Sequence, residues 1–501
     1  MLATCVLTFA SWVLVLGQCA LAANVDWTTI TNKRGDRLPD FSHCGYHASD
    51  KSLPSASRPS AVHIAPSSKD QTSQIQAALD KTAASGGGVV ELGAGTFRIS
   101  SSGLHIPSGT TLRGSGVAST KLSVTKLKAK VPLISLGNGT AHKVSPSATK
   151  SITNNYVGIG ASTVTVQDTK GLQVGQAVFV SRAASAKWIR DNGMADLVRP
   201  DKNGKDQKQT WLKVGALVQQ PRVIGSIKGK DVTFTVPLTD ALDKKYMSPY
   251  LATFSSPATS HEIGLENLSI TLSPSCSGVA LNTKGECNTE AISVLPWTVD
   301  SYVRQVNVTG FNTFVNVQYN ASRITIEKVG LFRDRDTDKS AGYPADIAVL
   351  GSQVLIQDSG QYGRKTAKAF SVATQAGTPG PNAVLRHVVQ SDIQQIYPHQ
   401  RWAHGILAED TDAGVIYFNR GNAGSGHGWA INAGVAWNVR GAVQIQSPPL
   451  GVNWGIGCTG AVSKDTNGSM VDTGTAVTPQ SLFSAQLAKR KAATAKTRDV
   501  E

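Results

Sequence analysis

Along residues 71–84 the positions Ile75, Ala78, Leu79 and Thr82 recur at helical spacing and share one face, and Gly86-Gly87-Gly88 ends the pattern. The period then changes. Val89-Val90-Glu91-Leu92, Thr96-Phe97-Arg98-Ile99, Leu104-His105-Ile106 and Thr111-Leu112-Arg113-Gly114 are short runs divided by turns at Gly93 to Gly95 and at Ser108-Gly109. Strands this short, with a turn every few residues, suit the small flat faces of a solenoid better than hairpins.

Between about 150 and 242 the texture is different. Val164-Thr165-Val166, Ala177-Val178-Phe179-Val180, Arg222-Val223-Ile224 and Val232-Thr233-Phe234 read as strands of a small inserted β module. A polar stretch, 184–210, interrupts it, and loops of that length are often functional or disordered. The solenoid pattern resumes near His261, with strand starts at Val303, Ile324, Val354, Val384, Val415 and Val435, at steps of 21, 30, 30, 31 and 20 residues. A bare coil needs roughly twenty or so residues, so the three longer steps predict long loops on otherwise regular coils.

Several of these segments carry a resemblance. Gln74-Ile75-Gln76-Ala77-Ala78-Leu79-Asp80, Ser85-Gly86-Gly87-Gly88-Val89-Val90, Gly95-Thr96-Phe97 and Ser108-Gly109-Thr110-Thr111-Leu112-Arg113-Gly114 resemble the opening of pectin-lyase-like β-helix proteins. Pro398-His399-Gln400-Arg401-Trp402-Ala403-His404-Gly405, Gly424-Ser425-Gly426-His427-Gly428-Trp429 and Asn453-Trp454-Gly455-Ile456-Gly457-Cys458 resemble segments of secreted microbial β-helix proteins. The resemblance implies an all-β fold, a right-handed parallel β-helix whose N-terminal helix caps the first coil, and action on carbohydrate. The paired-aspartate pattern of polygalacturonases and the Ca²⁺-binding aspartate set of pectate lyases are not recognisable.

The predicted organisation is a signal peptide at 1–22, an N-terminal arm at 23–69, first coils at 70–149, the inserted module at 150–260, the main β-helix at 261–462 and a polar basic tail at 463–501. The signal rests on an apolar, uncharged stretch, 2–16, followed by Ala20 and Ala22, and it predicts a secreted protein with no membrane attachment once cleaved. Cys44, Cys276, Cys287 and Cys458 would remain, and an even count in an exported chain suggests disulfides. Cys276 and Cys287 flank a short loop and are the expected local pair, which leaves Cys44 and Cys458 to tie the ends together. Asn138, Asn267, Asn307, Asn320 and Asn467 head glycosylation triplets. The tail is read as solvated, with a short helix near 481–492.

A net charge of +15 favours an anionic partner, for an exported protein an acidic polysaccharide or oligosaccharide. The basic residues are scattered and no nucleic-acid motif is present, so nucleic acid is not expected. A monomer is expected. No cofactor or metal is called for, with a structural or substrate-bridging Ca²⁺ left open.

The lengthened coils hold the densest polar clusters: Arg333-Asp334-Arg335-Asp336-Thr337-Asp338 with Asp346, the segment from Tyr397 to Gly405, and Asn419 to Trp429, with Tyr362 and Arg364 between the first two. Two reactions would use them differently. Eliminative cleavage of a uronate chain needs a base, a group that holds the carboxylate and an acid for the leaving oxygen. His399, His404 and His427 are the candidate bases, with Tyr362 and Tyr397 as further acid or base candidates and Arg401, Arg335 and Arg333 to neutralise the carboxylate. Hydrolysis needs two carboxyl groups across the bond, and Asp334, Asp336, Asp338 and Asp346 supply candidates. Trp402, Asn422 and Trp429 complete the expected substrate contacts, Trp429 by stacking on a sugar ring. His399 and His404 can share a site only if the chain turns near Trp402. The lyase is the leading expectation; a glycoside hydrolase and a non-catalytic glycan binder are the alternatives.

Overall fold

The computed structural model describes residues 22–127, 131–139, 144–279, 287, 289–338, 344–391 and 395–498. Residues 1–21 of the predicted signal lie outside the described residues. Short apolar strands stack coil upon coil in parallel ladders. One ladder runs Leu104–Ile106, Ile134–Leu136, Glu290–Val294, Thr313–Val317, Ala345–Val349, Phe370–Thr374, Gln395–Ile396, Gly414–Tyr417 and Val443–Ile445. Ile292, Val315, Ile347, Val372, Ile396, Val415 and Val443 are matched along it and all point into the core. Burying one such side chain contributes about 1.5–3 kcal/mol, and the stack repeats the gain at every coil.

A second ladder passes through Gly88–Leu92, Thr110–Gly114, Gly264–Leu272, Thr298–Thr309, Ser322–Glu327, Ser352–Gln357, Asn382–Leu385, Ile406–Glu409, Val435–Trp437 and Trp454–Ile456. A third takes Gly95–Ile99, Thr120–Val124, Gly330–Arg333, Gly360–Gly363 and Val388–Val389, joined through the C-terminal halves of the long strands Gly264–Leu272 and Thr298–Thr309. The bend between these two ladders falls on one left-handed residue per coil: Asn267, Gln305, Lys328, Asp358, Arg386, Asp410 and Asn438 have φ from 49° to 59°. A left-handed residue turns the chain sharply, and regular stacking on both sides outweighs its cost of about 1–2 kcal/mol. The result is the parallel β-helix that the turn spacing predicts.

The helix Thr72–Ala84 places Ile75 and Leu79 in the core and packs on Gly88–Leu92, Leu104–Ile106 and Thr110–Gly114. The chain leaves the β-helix after Ile134–Leu136 and rejoins it at Ser260–His261. Between them lies a six-stranded antiparallel sheet, ordered Thr163–Thr165, Asp231–Phe234, Leu217–Lys228, Ala177–Ala183, Tyr250–Phe254 and Pro146–Ser151, with its own core around Val178, Ile224 and Leu251. The ladders close across it, since Leu112 pairs directly with Leu265 and Ile134 with Ile292.

Three expectations are corrected. Val415 lies on the first ladder, and the second-ladder partner of Val384 is Ala408, so that coil is shorter than the step from Val384 to Val415 implied. Both ladders carry the same Val- and Ile-rich pattern, which hides their difference in the sequence. The tail is docked on the fold rather than free in solvent, although most of its residues stay exposed: Val477–Thr478 pairs with Ala23–Asn24, and the helix Leu482–Arg498 buries Leu482 and Phe483 beside Phe41, Leu385 and Trp437. These residues cover the outer side of the second ladder, where Leu355, Leu385, Leu407 and Trp437 face away from the coil interior. Parallel strands buried on both sides read as unbroken apolar runs for this reason. Finally, Cys276 and Cys287 are bonded, whereas Cys44 and Cys458 are free buried thiols belonging to different apolar clusters.

Candidate active site

The predicted site residues fall into three separate environments. The first gathers His399, Arg401 and His427 at the exit of the first ladder. The His399 and His427 ring centroids are 4.8 Å apart. Phe370 lies 5.3 Å from His399 and stacks on Tyr397 at 4.9 Å, and Phe418 meets Tyr397 edge-on at 5.4 Å. Arg420 sits 5.0 Å over the Tyr397 ring and donates through Nη1 to the His399 carbonyl at 2.9 Å. Arg401 donates through Nη2 to Ser425 Oγ at 2.7 Å, and its left-handed backbone (φ 54°) begins the turn.

The inserted module fixes this loop from outside. Arg199 donates to the Gly424 carbonyl at 2.7 Å, and Asn422 donates to the Val198 carbonyl at 2.6 Å. Arg401 Nε donates to the Trp211 carbonyl at 2.8 Å, and Trp211 Nε1 to the Trp429 carbonyl at 3.2 Å. Gly428 has φ 52°, and a Cβ there would strike the Trp211 ring, so the loop bearing His427 can approach the module only with glycine at this position.

Both imidazoles are set up as neutral bases. Nδ1 of His399 donates to Gln375 Oε1 at 3.1 Å, and Nδ1 of His427 donates to the Ala423 carbonyl at 2.9 Å, which leaves each lone pair on Nε2. Among the described residues neither Nε2 has a hydrogen-bond partner, and neither is sealed from solvent. Burial, then Arg420 and Arg401, push His399 down to about 4. Burial, then Arg420, His399, Arg401 and Arg199, push His427 down to about 3. No carboxylate among the described residues pairs with Arg199, Arg401 or Arg420. An anion placed here would relieve that repulsion and raise both imidazoles toward their ordinary range.

The second environment is the buried seam between module and β-helix, and it removes three residues from the predicted site. Trp402 is 1% exposed and donates through Nε1 to Asp240 Oδ1 at 2.9 Å. Asp240 also takes Arg182 Nε at 2.6 Å and Asn432 Nδ2 at 3.1 Å; burial works against its charge, but these partners win and hold its carboxyl low. His404 lies 2.7 Å from the Thr239 hydroxyl through Nδ1, and burial, only partly offset by Asp240, pushes it down to about 4. Trp429, expected on a sugar-stacking surface, is buried against Trp211 and donates to the Asn192 carbonyl at 3.0 Å. The turn at Arg401-Trp402 does occur, but it sends His404 under the module and away from His399.

The third environment is the carboxylate loop. Arg333 and Asp346 are wholly buried and paired at 2.7 Å, with Arg333 Nη2 also donating to the Asn312 carbonyl at 2.8 Å. Burial pushes Asp346 up to about 6 despite Arg333. Both are interior structural residues and cannot meet substrate. Asp334 accepts from Ser275 Oγ at 2.6 Å, Arg335 donates to the Ser275 carbonyl at 2.6 Å, and Asp336 faces Arg364 at 3.7 Å. These three are exposed, beside the loop that holds Cys276. Tyr362 is half-buried, tilted against Phe332 at 5.4 Å. None of them contacts the imidazole cluster through any described bond. Among the described residues no three His, Cys, Asp or Glu side chains gather closely enough to hold a metal ion.

The sequence assigns no role to Arg199, Gln375, Phe370 and Phe418, and Arg420 stands in a singled-out polar run without one. Two signals were available: Arg420 shares a glycine-rich loop with His427, and Arg199 lies in the long polar stretch of the insert.

No family model matches the sequence, and no curated protein matches it. Among solved structures the chain is similar to the tailspike protein gp49 of Pseudomonas phage LKA1, at 12% identity over 80% of this chain and 70% of that one, with a TM-score of 0.37. A mutant tailspike protein of E. coli bacteriophage HK620, in complex with a pentasaccharide, is 11% identical over 81% of this chain and 57% of that one, with a TM-score of 0.37. The gp54 tailspike of Acinetobacter baumannii bacteriophage AP22, in complex with a capsular saccharide, is 8% identical over 81% and 66%, with a TM-score of 0.26. Scores this low add nothing to what the strand pairings establish: this chain is a parallel β-helix protein with an inserted antiparallel module.

Proposed function

We propose that this protein is a secreted, pectin-lyase-like polysaccharide lyase that cleaves an acidic, uronate-containing glycan by β-elimination at the His399–His427 cluster. The observation that carries the reading is the pairing of two neutral, solvent-reached imidazoles with three guanidiniums that lack a carboxylate partner among the described residues. Arg401, Arg420 and Arg199 hold the uronate carboxylate and draw charge from the carbon beside it. Nε2 of His399 or His427 takes the proton from that carbon, C5. The freed electron pair forms the C4–C5 double bond, and the bond from C4 to the glycosidic oxygen breaks. The imidazolium returns its proton to the leaving oxygen, so one chain becomes a new saccharide end and a 4,5-unsaturated uronate end. Phe370, Tyr397 and Phe418 offer ring faces for the sugars.

The test is digestion of a panel of polyuronates with the full-length protein. Ultraviolet absorbance from unsaturated ends should rise with the parent and not with His427→Ala. Reducing ends released without that absorbance would replace the lyase by a hydrolase, and no product from any polyuronate would sink the reading.

A further inference from the structure

Nearer the N-terminal end of the same seam lies a cavity of about 940 Å³, formed by segments the coils themselves do not require. One wall is the outer side of the module sheet, where Phe179 stacks on Phe254 at 4.6 Å and Phe254 meets Trp297 at 5.9 Å. Another is the N-terminal arm with Trp27 and Arg37, another the β-helix corner with Asn320, Arg323 and Gln353, and the last the C-terminal helix with Lys489 and Arg490. It shares no residue with the His399–His427 cluster.

We propose that this cavity is a second binding site, taking a short stretch of an acidic oligosaccharide that bears carboxylates or sulfates. Its volume lies in the range of sites for ligands of several rings and far exceeds what one small anion needs. Among the described residues the side chains of Arg37, Arg323, Lys489 and Arg490 line it against Asp40 and Asp50. Arg323 and Arg490 are held by Asp300 and Asp50, which leaves the surplus on Arg37 and Lys489. The Arg37 guanidinium forms no ion pair among the described residues. Lys489 Nζ rests 4.9 Å from the centroid of the Trp27 ring, a cation beside an aromatic face. Arg222 is not part of that surplus: it pairs with Val178 on the core side of the sheet, and its guanidinium is taken up by the carbonyls of Pro221, Gly380 and Pro237 and the side chains of Gln220 and Thr239. A neutral apolar ligand would leave these charges unanswered, whereas a sugar chain offers C–H faces to Trp27 and the aromatic wall and anions to the rim. The site stands independently of the reaction assigned to the imidazole cluster.

The experiment uses the full-length His427→Ala protein, which is not expected to consume its ligand, titrated calorimetrically with hexuronate oligomers, sulfated oligosaccharides and neutral oligomers of equal length. Acidic oligomers should bind and neutral ones should not, and the uronate and sulfate arms decide which anion is preferred. The double change Arg37→Glu, Lys489→Glu should weaken binding by at least about tenfold, and Trp27→Ala by about fivefold, at an unaltered melting temperature. Because the imidazole cluster also binds uronate, two sites per chain are expected for the acidic oligomers and one after the double change; a single site that the double change leaves intact and Arg420→Ala removes, or equal binding of neutral oligomers, would overturn the second site. Failure of the lyase reading shows separately, as absent ultraviolet product from the unsubstituted protein.

Discussion

Asp334 and Asp336 stand on an exposed loop where each already has an answer, Ser275 for one and Arg364 for the other. His399 and His427 stand in a half-covered recess between two coil loops and the Val198-Arg199 segment of the module, surrounded by guanidiniums without a carboxylate partner among the described residues. Both groups are dense in polar residues, and in sequence they look equally suited to catalysis. The difference is that surface charges paired in water gain little and do little, while unpaired cations held beside neutral bases in a partly dry recess have an electrostatic demand that only an anion meets.

Replacement at the recess should have the largest effect. His427→Ala and His399→Ala are each expected to lower kcat by about 10²–10⁴-fold, the usual worth of a positioned proton-transfer group, read as the initial rate of unsaturated-end formation. A loss of less than about threefold in both would move the chemistry elsewhere. Next comes a change that bears on the fold at the carboxylate loop. Arg333→Ala strands Asp346 in the interior and should cost about 3–5 kcal/mol in denaturant unfolding, and a near-neutral result would mean the pair is not buried in solution.

A third effect depends on pH. His404 and His387 are neutral and buried, each pushed by burial to about 4 from the ordinary value near 6.5. The unfolded chain therefore binds more protons between those values, so their contribution is full above about pH 6.5 and is lost as pH falls toward 4. Each accounts for on the order of 3 kcal/mol across that window. Asp346, raised to about 6, works in the opposite sense, because it favours the folded state as pH falls. His399 and His427, lowered in the same direction, add to the loss, so with four histidines against one carboxyl the melting temperature should decline from pH 6.5 to pH 4, and a flat profile would contradict it. The smallest effect belongs to the exposed carboxylates. Asp334→Asn and Asp336→Asn should leave the elimination rate within about threefold, and a collapse of activity would reverse the comparison between the two regions.

Much of the scaffold was readable because its signals are local. The amphipathic pattern of Ile75 and Leu79, the glycines that stop it and the short apolar runs each depend on a few neighbouring residues. The candidate site is legible in part: the sequence singles out His399, Arg401 and His427, which do meet, and equally His404, Trp402, Trp429 and Arg333, which do not join them. All seven stand in polar or glycine-marked segments at coil corners, where chain periodicity no longer says which side is covered. Phe370 and Gln375 were invisible because they lie a coil away from the histidines they touch.

By itself the sequence determined a stack of short strands, its N-terminal helix, the interruption by an insert and the loops that hold the polar residues. Each follows from spacing along the chain. Only the tertiary structure decided which corner the insert covers, and so which histidine is sealed as a structural group and which remains a neutral imidazole only partly covered. That outcome turns on burial and neighbouring charge from residues as far apart in sequence as Arg199 and His427, and no local pattern encodes either.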